Sequence, residues 1–181
     1  QDLSGSSSDD IANVRARWPS VVAELQASYD VHFGVISYVD LPFGDFGYSG
    51  EWPYRLESAL DADSAKSQAA INAFSIQNGN DWWESQLWAL YEGVDDDAVG
   101  WREDSMKVML LATDAAYHVE GDASAYASTI RSYYPATGLS DYPSVAALRA
   151  ALESKNALPI FAVTQASFTY YMELAESLGL E

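Results

Sequence analysis

Apolar residues near the start of the chain recur at Ile11, Val14, Trp18, Val22, Leu25 and Tyr29. Their steps of three, four and seven place them on one face of a helix. Asp9 and Asp10 stand at its beginning, where carboxylates suit the positive end of the helix dipole. Pro19 lies inside the run and removes an intrahelical donor, so a kink or break near Trp18 is expected.

The pattern then changes. "VHFGVISYVD" is rich in β-branched and aromatic residues and predicts a strand ending near Asp40. "LPFGDFGYSGEWPY" reads as a Gly- and Pro-rich loop with room for a short edge strand. "RLESALDADSAKSQAAINAFSIQ" is helical in composition, and "NGNDWWESQLWALYEGV" predicts a turn and then a helix. "SMKVMLLATD" is an apolar run closing on a polar pair, as a buried parallel strand does. "VEGDASAYASTIRSYYPATGLS" reads as a long irregular loop. "DYPSVAALRAALESKN" predicts a helix with Pro143 in its first turn, "ALPIFAVT" a second buried strand, and "QASFTYYMELAESLGL" a last helix.

Strands alternating with helices predict one α/β domain over residues 1–181, with a mostly parallel central sheet flanked by helices. Ligands of such sheets bind beyond the C-terminal strand ends. Four acidic groups fall at those ends or in the loops that follow: "DLSGS", Asp40, Asp81 with Glu84, and Asp114.

Composition narrows the chemistry. Nine Lys plus Arg against 27 Asp plus Glu give a net charge of −18. Nucleic acid and anionic membranes are poor partners for such a surface, because phosphate contacts need cationic side chains. With no cysteine and only His32 and His118, thiolate and histidine-rich metal sites are excluded. Oxygen ligands remain, and they favour Ca²⁺ and Mg²⁺. No run is long and apolar enough to span a bilayer, and none reads as a signal peptide. The Asp95–Asp96–Asp97 run reads as a solvated loop.

In "DLSGSSSDD", Asp2, Ser4 and Ser6 alternate. One carboxylate and two hydroxyls hold a hard cation without cancelling its charge. A Ser-rich helix cap with Asp9 or Asp10 at the N-cap is the competing reading, and the stretch alone favours it.

"DLSGSSSDD" also resembles the metal-ion-dependent adhesion site of integrin β-subunit I-like domains, a branch of the Rossmann-like von Willebrand factor A fold. Four further stretches are similar to that family in the same order: "FGVISYVDLP", "NGNDWWESQLWAL", "LLATDAAYH" and "DYPSVAALRAALESKNALPIFAVT". The ordered set outweighs the cap reading.

The resemblance implies three neighbouring sites. Asp2, Ser4, Ser6, Glu84 and Asp114 would form the adhesion site, holding Mg²⁺ or Mn²⁺. The Ser6 carbonyl with Asp9 and Asp10 would hold an adjacent Ca²⁺. Asp40, Asp81, the Trp83 carbonyl and a Glu84 oxygen would hold a supporting Ca²⁺. The adhesion-site metal would accept an Asp or Glu of a partner protein. The first helix would shift on activation, so Pro19→Ala would favour a continuous helix and raise affinity.

The chain departs from the family at several points. Gly79 stands where the family has asparagine, flanked by Asn78 and Asn80, and Trp83 where it has proline. "FGDFGYSGEWPY" is shorter than the specificity loop of animal integrins. The family's central strand precedes the motif where Gln1 alone stands here, and its last strand and helix are not found after "ESLGLE". Two rival readings are a metal-dependent phosphoester hydrolase and a subunit of an intracellular metal-chelatase. No basic residue lies in the motifs to serve the first; Arg102 and Lys107 are the nearest to "TD". A non-enzymatic adhesin, extracellular or on a bacterial surface, is the expectation. Trp88 reads as core; Trp82 and Trp83 read as packed, with an exposed contact rim as the alternative.

Overall fold

The structure is a computed structural model and describes residues 1–180. Helix α1 runs from Ser8 to Gln26, preceded by a short 3-10 turn over Gly5–Ser7. Strand β1 (Phe33–Ser37), strand β2 (Arg55–Asp61) and helix α2 (Ser64–Ala73) follow. Next come β3 (Trp83–Glu84), α3 (Gln86–Asp95), β4 (Lys107–Thr113) and β5 (Ala116–Tyr117). The chain closes with α4 (Ala127–Tyr133), α5 (Val145–Lys155), β6 (Ala157–Val163) and α6 (Phe168–Leu178).

The α/β class and the parallel pairing hold: β4 pairs in parallel with β6 from Lys107↔Ala157 to Thr113↔Val163, and β3 pairs in parallel with β5. The β1–β2 pair is antiparallel. Arg55–Asp61 belongs to that edge strand, not to the helix its composition suggested. Pairing with β1 overrides the propensity of Leu56, Glu57 and Ala59. The Asp63 side chain then accepts from Ala65 N at 3.0 Å and starts α2.

Two packed halves result. Leu3, Ile11, Val35, Val39, Ile71 and Phe74 join α1, α2 and β1. Leu87, Leu90, Leu111, Leu148, Leu152 and Leu174 join β4 with α3, α5 and α6. A fully buried leucine contributes roughly 1.5–3 kcal/mol through its burial, enough to fix each helix on its strand. Leu41, Phe46, Trp88, Ile130 and Tyr142 form a third cluster beside the strand ends, and Trp88 is core as expected.

Residues 1–3 lie between the halves. Leu3 N donates to Tyr38 O at 3.0 Å, Tyr38 N to Gln1 O at 3.2 Å, and Asp2 N to Ala112 O at 3.2 Å. Asp2 is thereby fixed to the ends of both β1 and β4.

Several expectations are corrected. Helix α1 is continuous through Pro19. Arg15 donates to Ile71 O at 3.2 Å and also to Phe74 O, and Trp18 Nε1 donates to Ser67 Oγ at 3.1 Å. These tertiary anchors hold the helix where one backbone bond is missing. The apolar face is shorter than its spacing implied: α1 ends at Gln26, and Tyr29 is exposed. Strands β4 and β6 are covered on one face only; Val108, Leu110, Leu158 and Ile160 are exposed. Helix α4 interrupts the presumed loop of residues 119–140. Pro143 precedes the N-cap Ser144 of α5, whose hydroxyl accepts from Ala147 N at 3.1 Å. Trp82 and Trp83 are 71% and 45% exposed, so they form a rim and not a packed pair. Asp95 and Asp97 are solvated, but Asp96 is structural: it caps a 3-10 turn at Ala98 N and accepts from Tyr54 OH at 2.8 Å.

Candidate metal centre

The carboxyl-terminal ends of β1 and β4, the start of the chain and the loop before α3 meet at one place. Asp2 is fully buried. Its Oδ2 accepts from the Thr113 hydroxyl at 2.6 Å and its Oδ1 from Ser4 N at 2.8 Å. The Ser4 and Ser6 hydroxyls are 3.2 Å apart, and Ser6 donates to Asp114 Oδ1 at 2.9 Å. Ser7 donates to the same oxygen at 3.2 Å, and the Ser167 hydroxyl binds the Asp114 carbonyl. Asp2, Ser4, Ser6 and Asp114 are thus one connected group of oxygens.

Glu84 joins this group electrostatically. Burial pushes its carboxyl up to about 10, and the charges of Asp2, Asp40 and Asp81 push the same way. Burial also raises the Asp2 carboxyl, against the pull of Thr113 and Ser4. Glu84 Oε2 is buried and has no hydrogen-bond partner among the described residues. A buried carboxylate without a partner carries a large desolvation cost, which a cation removes. This orphaned oxygen, with the Asp2 and Asp114 carboxylates and the Ser4 and Ser6 hydroxyl oxygens, fits a hard divalent ion.

Asp9 and Asp10 stand in the first turn of α1, Asp9 exposed and Asp10 half-buried. Desolvation raises the Asp10 carboxyl, and the charges of Asp9 and Asp114 add to it. Asp10 thus lies within charge range of Asp114, although among the described residues neither Asp9 nor Asp10 is hydrogen-bonded through its carboxylate to that group.

Asp40, Asp81 and His118 make a second, tighter group: one ligand atom from each lies within 4.8 Å of the others. Asp40 Oδ1 accepts from Leu41 N and Ser85 Oγ, both at 2.7 Å, and from Tyr142 OH. His118 Nε2 is 3.1 Å from Asp81 Oδ2 and 3.3 Å from Asp40 Oδ2. The ring is aimed at Asp81, which leaves Asp40 Oδ2 buried with a charge contact but no hydrogen bond among the described residues. His118 Nδ1 is 3.0 Å from Asp122 Oδ2. Burial by itself would lower the imidazole pKa, but Asp40, Asp81 and Asp122 outweigh it and hold the ring up to about 10.

Short β3 carries Trp83 and Glu84 beside β5, and His118 N donates to Glu84 O at 3.1 Å. Gly79 has φ +69°, and a Cβ there would stand 2.8 Å from Glu84 Oε1. The loop comes this close to Glu84 because residue 79 has no side chain. The Asn80 side-chain nitrogen donates to Asp45 O at 3.2 Å. Glu51, which sequence reasoning did not single out, shapes this loop: its Oε1 accepts from Asn78 N and Gly79 N at 3.1 and 3.0 Å. Thr113, His118, Asp122 and Tyr142 were also missed as working residues. For His118 and Asp122 a sign existed in "HVEGD", a histidine four residues before an aspartate.

The integrin beta chain VWA domain profile matches residues 1–180. Human integrin beta-4 is 28% identical over 200 residues, covering 96% of this chain and 11% of that protein. Human integrin beta-7 is 28% identical over 204 residues, covering 97% and 25%. Caenorhabditis elegans integrin beta pat-3 is 28% identical over 137 residues, covering 69% and 17%. The chain thus spans a quarter or less of each of these relatives. All three are animal proteins, so they lend no support to a bacterial source. The matched profile, over the fold and acidic centre described above, shows that the chain belongs to the integrin beta chain VWA domain family, a family of metal-dependent adhesion domains.

Proposed function

We propose that this chain is a cation-dependent ligand-binding domain whose first metal accepts an acidic side chain of a partner protein. The observation that carries the reading is the oxygen group running from Asp2 through Ser4 and Ser6 to Asp114. Mg²⁺ or Mn²⁺ is assigned to Asp2, Ser4, Ser6, Glu84 and Asp114. The adjacent Ca²⁺ is assigned to the Ser6 carbonyl, Asp9 and Asp10. The supporting cation is assigned to Asp40, Asp81, the Trp83 carbonyl and Glu84.

The metal answers a charge problem. A surface of −18 repels an acidic partner, but at contact distance a divalent ion outweighs screened, diffuse charge. Exposed Trp82 and Trp83 directly precede Glu84 in the chain and offer apolar contact area to the same partner. An extracellular or cell-surface setting, with abundant Ca²⁺, suits such sites.

Binding is favoured over phosphoester hydrolysis by where the cationic side chains go. Arg102 is paired with Asp30 at 2.7 Å. Lys107 lies at the opposite end of β4 from Asp114, with its ammonium against Glu103 O and Ser105 O.

The test uses a short peptide with one aspartate and its asparagine twin. The aspartate peptide binds the Mn²⁺-loaded protein, changes its Mn²⁺ electron spin resonance spectrum, and is released by EDTA. Asp2→Ala and Asp114→Ala weaken both the Mn²⁺ and the peptide. Equal binding of the twin, or binding that survives EDTA, overturns the proposal.

A further inference from the structure

We infer that Asp40, Asp81 and His118 form a nitrogen-containing cation site that prefers a Zn²⁺-class metal to Ca²⁺ or Mg²⁺. The inference deepens the reading of a supporting cation at Asp40 and Asp81, and rests on it.

The spacing fits. Tetrahedral coordination at Zn–ligand lengths near 2.05 Å places neighbouring donors about 3.3 Å apart. His118 Nε2 stands 3.1 Å from Asp81 Oδ2 and 3.3 Å from Asp40 Oδ2. Asp40 Oδ2 is the buried oxygen without a hydrogen bond, aimed into this gap.

The ring is oriented as a ligand. An ionised Asp122 only accepts, and its Oδ2 takes both His118 Nδ1 and Val119 N at 3.0 Å. Nε2 is then the nitrogen that faces the two aspartates. A carboxylate behind the far nitrogen is the usual support for a metal-bound histidine. Tyr142 stacks on the ring at 4.6 Å and Phe46 meets it edge-on at 5.1 Å, which fixes the plane.

The donor set argues against Ca²⁺, which takes six to eight oxygen ligands, because the side chain facing both aspartates offers a nitrogen. Asp40 Oδ1 is already engaged by three donors. Gly79, at the position where the family has asparagine, contributes no side-chain oxygen. Imidazole nitrogen suits Zn²⁺ and poorly suits Ca²⁺ or Mg²⁺.

The experiment reads nitrogen and oxygen ligands separately. Chelator-stripped protein carrying His32→Gln, so that His118 is the sole histidine, is labelled with ¹⁵N-histidine and ¹³C-aspartate and titrated with Zn²⁺ or Ca²⁺. Zn²⁺ is expected to shift His118 Nε2 strongly, and to bind at least tenfold tighter than Ca²⁺ at the Asp40 and Asp81 carboxyls. Asp122→Asn, checked for folding by circular dichroism, is expected to lose roughly 10- to 100-fold in Zn²⁺ affinity. If Ca²⁺ shifts both carboxyls while Zn²⁺ leaves Nε2 unmoved, the nitrogen site is overturned and the all-oxygen site stands. If neither ion moves either carboxyl, both are overturned.

Discussion

The Thr113 hydroxyl donates to Asp2 Oδ2 at 2.6 Å, joining the end of β4 to a residue 111 positions earlier in the chain. The same Thr113 oxygen accepts from Ala115 N at 3.1 Å and from the buried Gln86 amide at 3.0 Å. Thr113 is thus the post that aims the Asp2 carboxylate. Thr113→Val keeps the shape and deletes the donor. Mn²⁺ affinity at the adhesion site is expected to fall roughly 10- to 100-fold, as removal of such supporting partners does. A Mn²⁺ titration followed by electron spin resonance measures it.

Glu84 distinguishes binding from folding. Its carboxyl, pushed up to about 10, carries a proton at neutral pH when no cation is near. Glu84→Gln therefore changes little in chelated protein, and the melting temperature is expected to stay within a few degrees. With cations added, the variant is expected to lose at least roughly tenfold in Mn²⁺ affinity and most of the thermal stabilisation they give. Paired melts with EDTA and with Mn²⁺ check both halves.

Glu92 sets a pH dependence away from the cations. Burial, reinforced by Asp95 and Asp96, raises its carboxyl from 4.5 to about 7, and its Oε1 has no hydrogen bond. The folded protein therefore holds a proton that the unfolded chain releases above pH 4.5. The associated stability is complete below that pH and is lost as pH rises through about 7. Glu92→Gln is expected to remove this part of the slope, giving on the order of 2 kcal/mol in its favour at pH 8. Urea unfolding of both proteins at pH 5 and pH 8 measures the difference.

Pro19 acts on stability. Since α1 is already continuous, Pro19→Ala restores a backbone donor without having to join two helices. A gain of about 1–3 kcal/mol in unfolding free energy is expected. Peptide affinity is expected to stay within twofold, because the anchors at Arg15 and Trp18 already fix the helix. A rise in affinity would instead support the moving-helix expectation drawn from the family.

The candidate oxygen donors are legible because they carry a spaced motif. Asp2, Ser4 and Ser6 alternate, and Asp40 and Asp114 close apolar runs. The helix–strand order was legible from periodicity except at Arg55–Asp61, where pairing with Phe33–Ser37 decided the outcome. His118 was not legible as a site residue. Its importance comes from Asp40, 78 positions away in the chain, from Asp81, and from the Tyr142 ring stacked on it. Glu51 was hidden for the same reason: its partners are backbone amides of Asn78 and Gly79, which no side-chain pattern announces. The exposure of Trp82 and Trp83 was misjudged because an apolar pair at a strand end has the same composition in a core and on a rim.

The candidate donors Asp2, Asp40, Asp81, Glu84 and Asp114 come from separate stretches, and the contacts that gather them close loops of up to 111 residues. Such closures are late and slow steps of folding. A partly folded chain that has built only one half owns no complete site, so cations bind the finished fold alone. At a hundred times its dissociation constant, each bound ion then adds about 2.7 kcal/mol to that state. The acidic cluster, which opposes folding through self-repulsion, would with cations bound instead favour the finished fold over every partly assembled one.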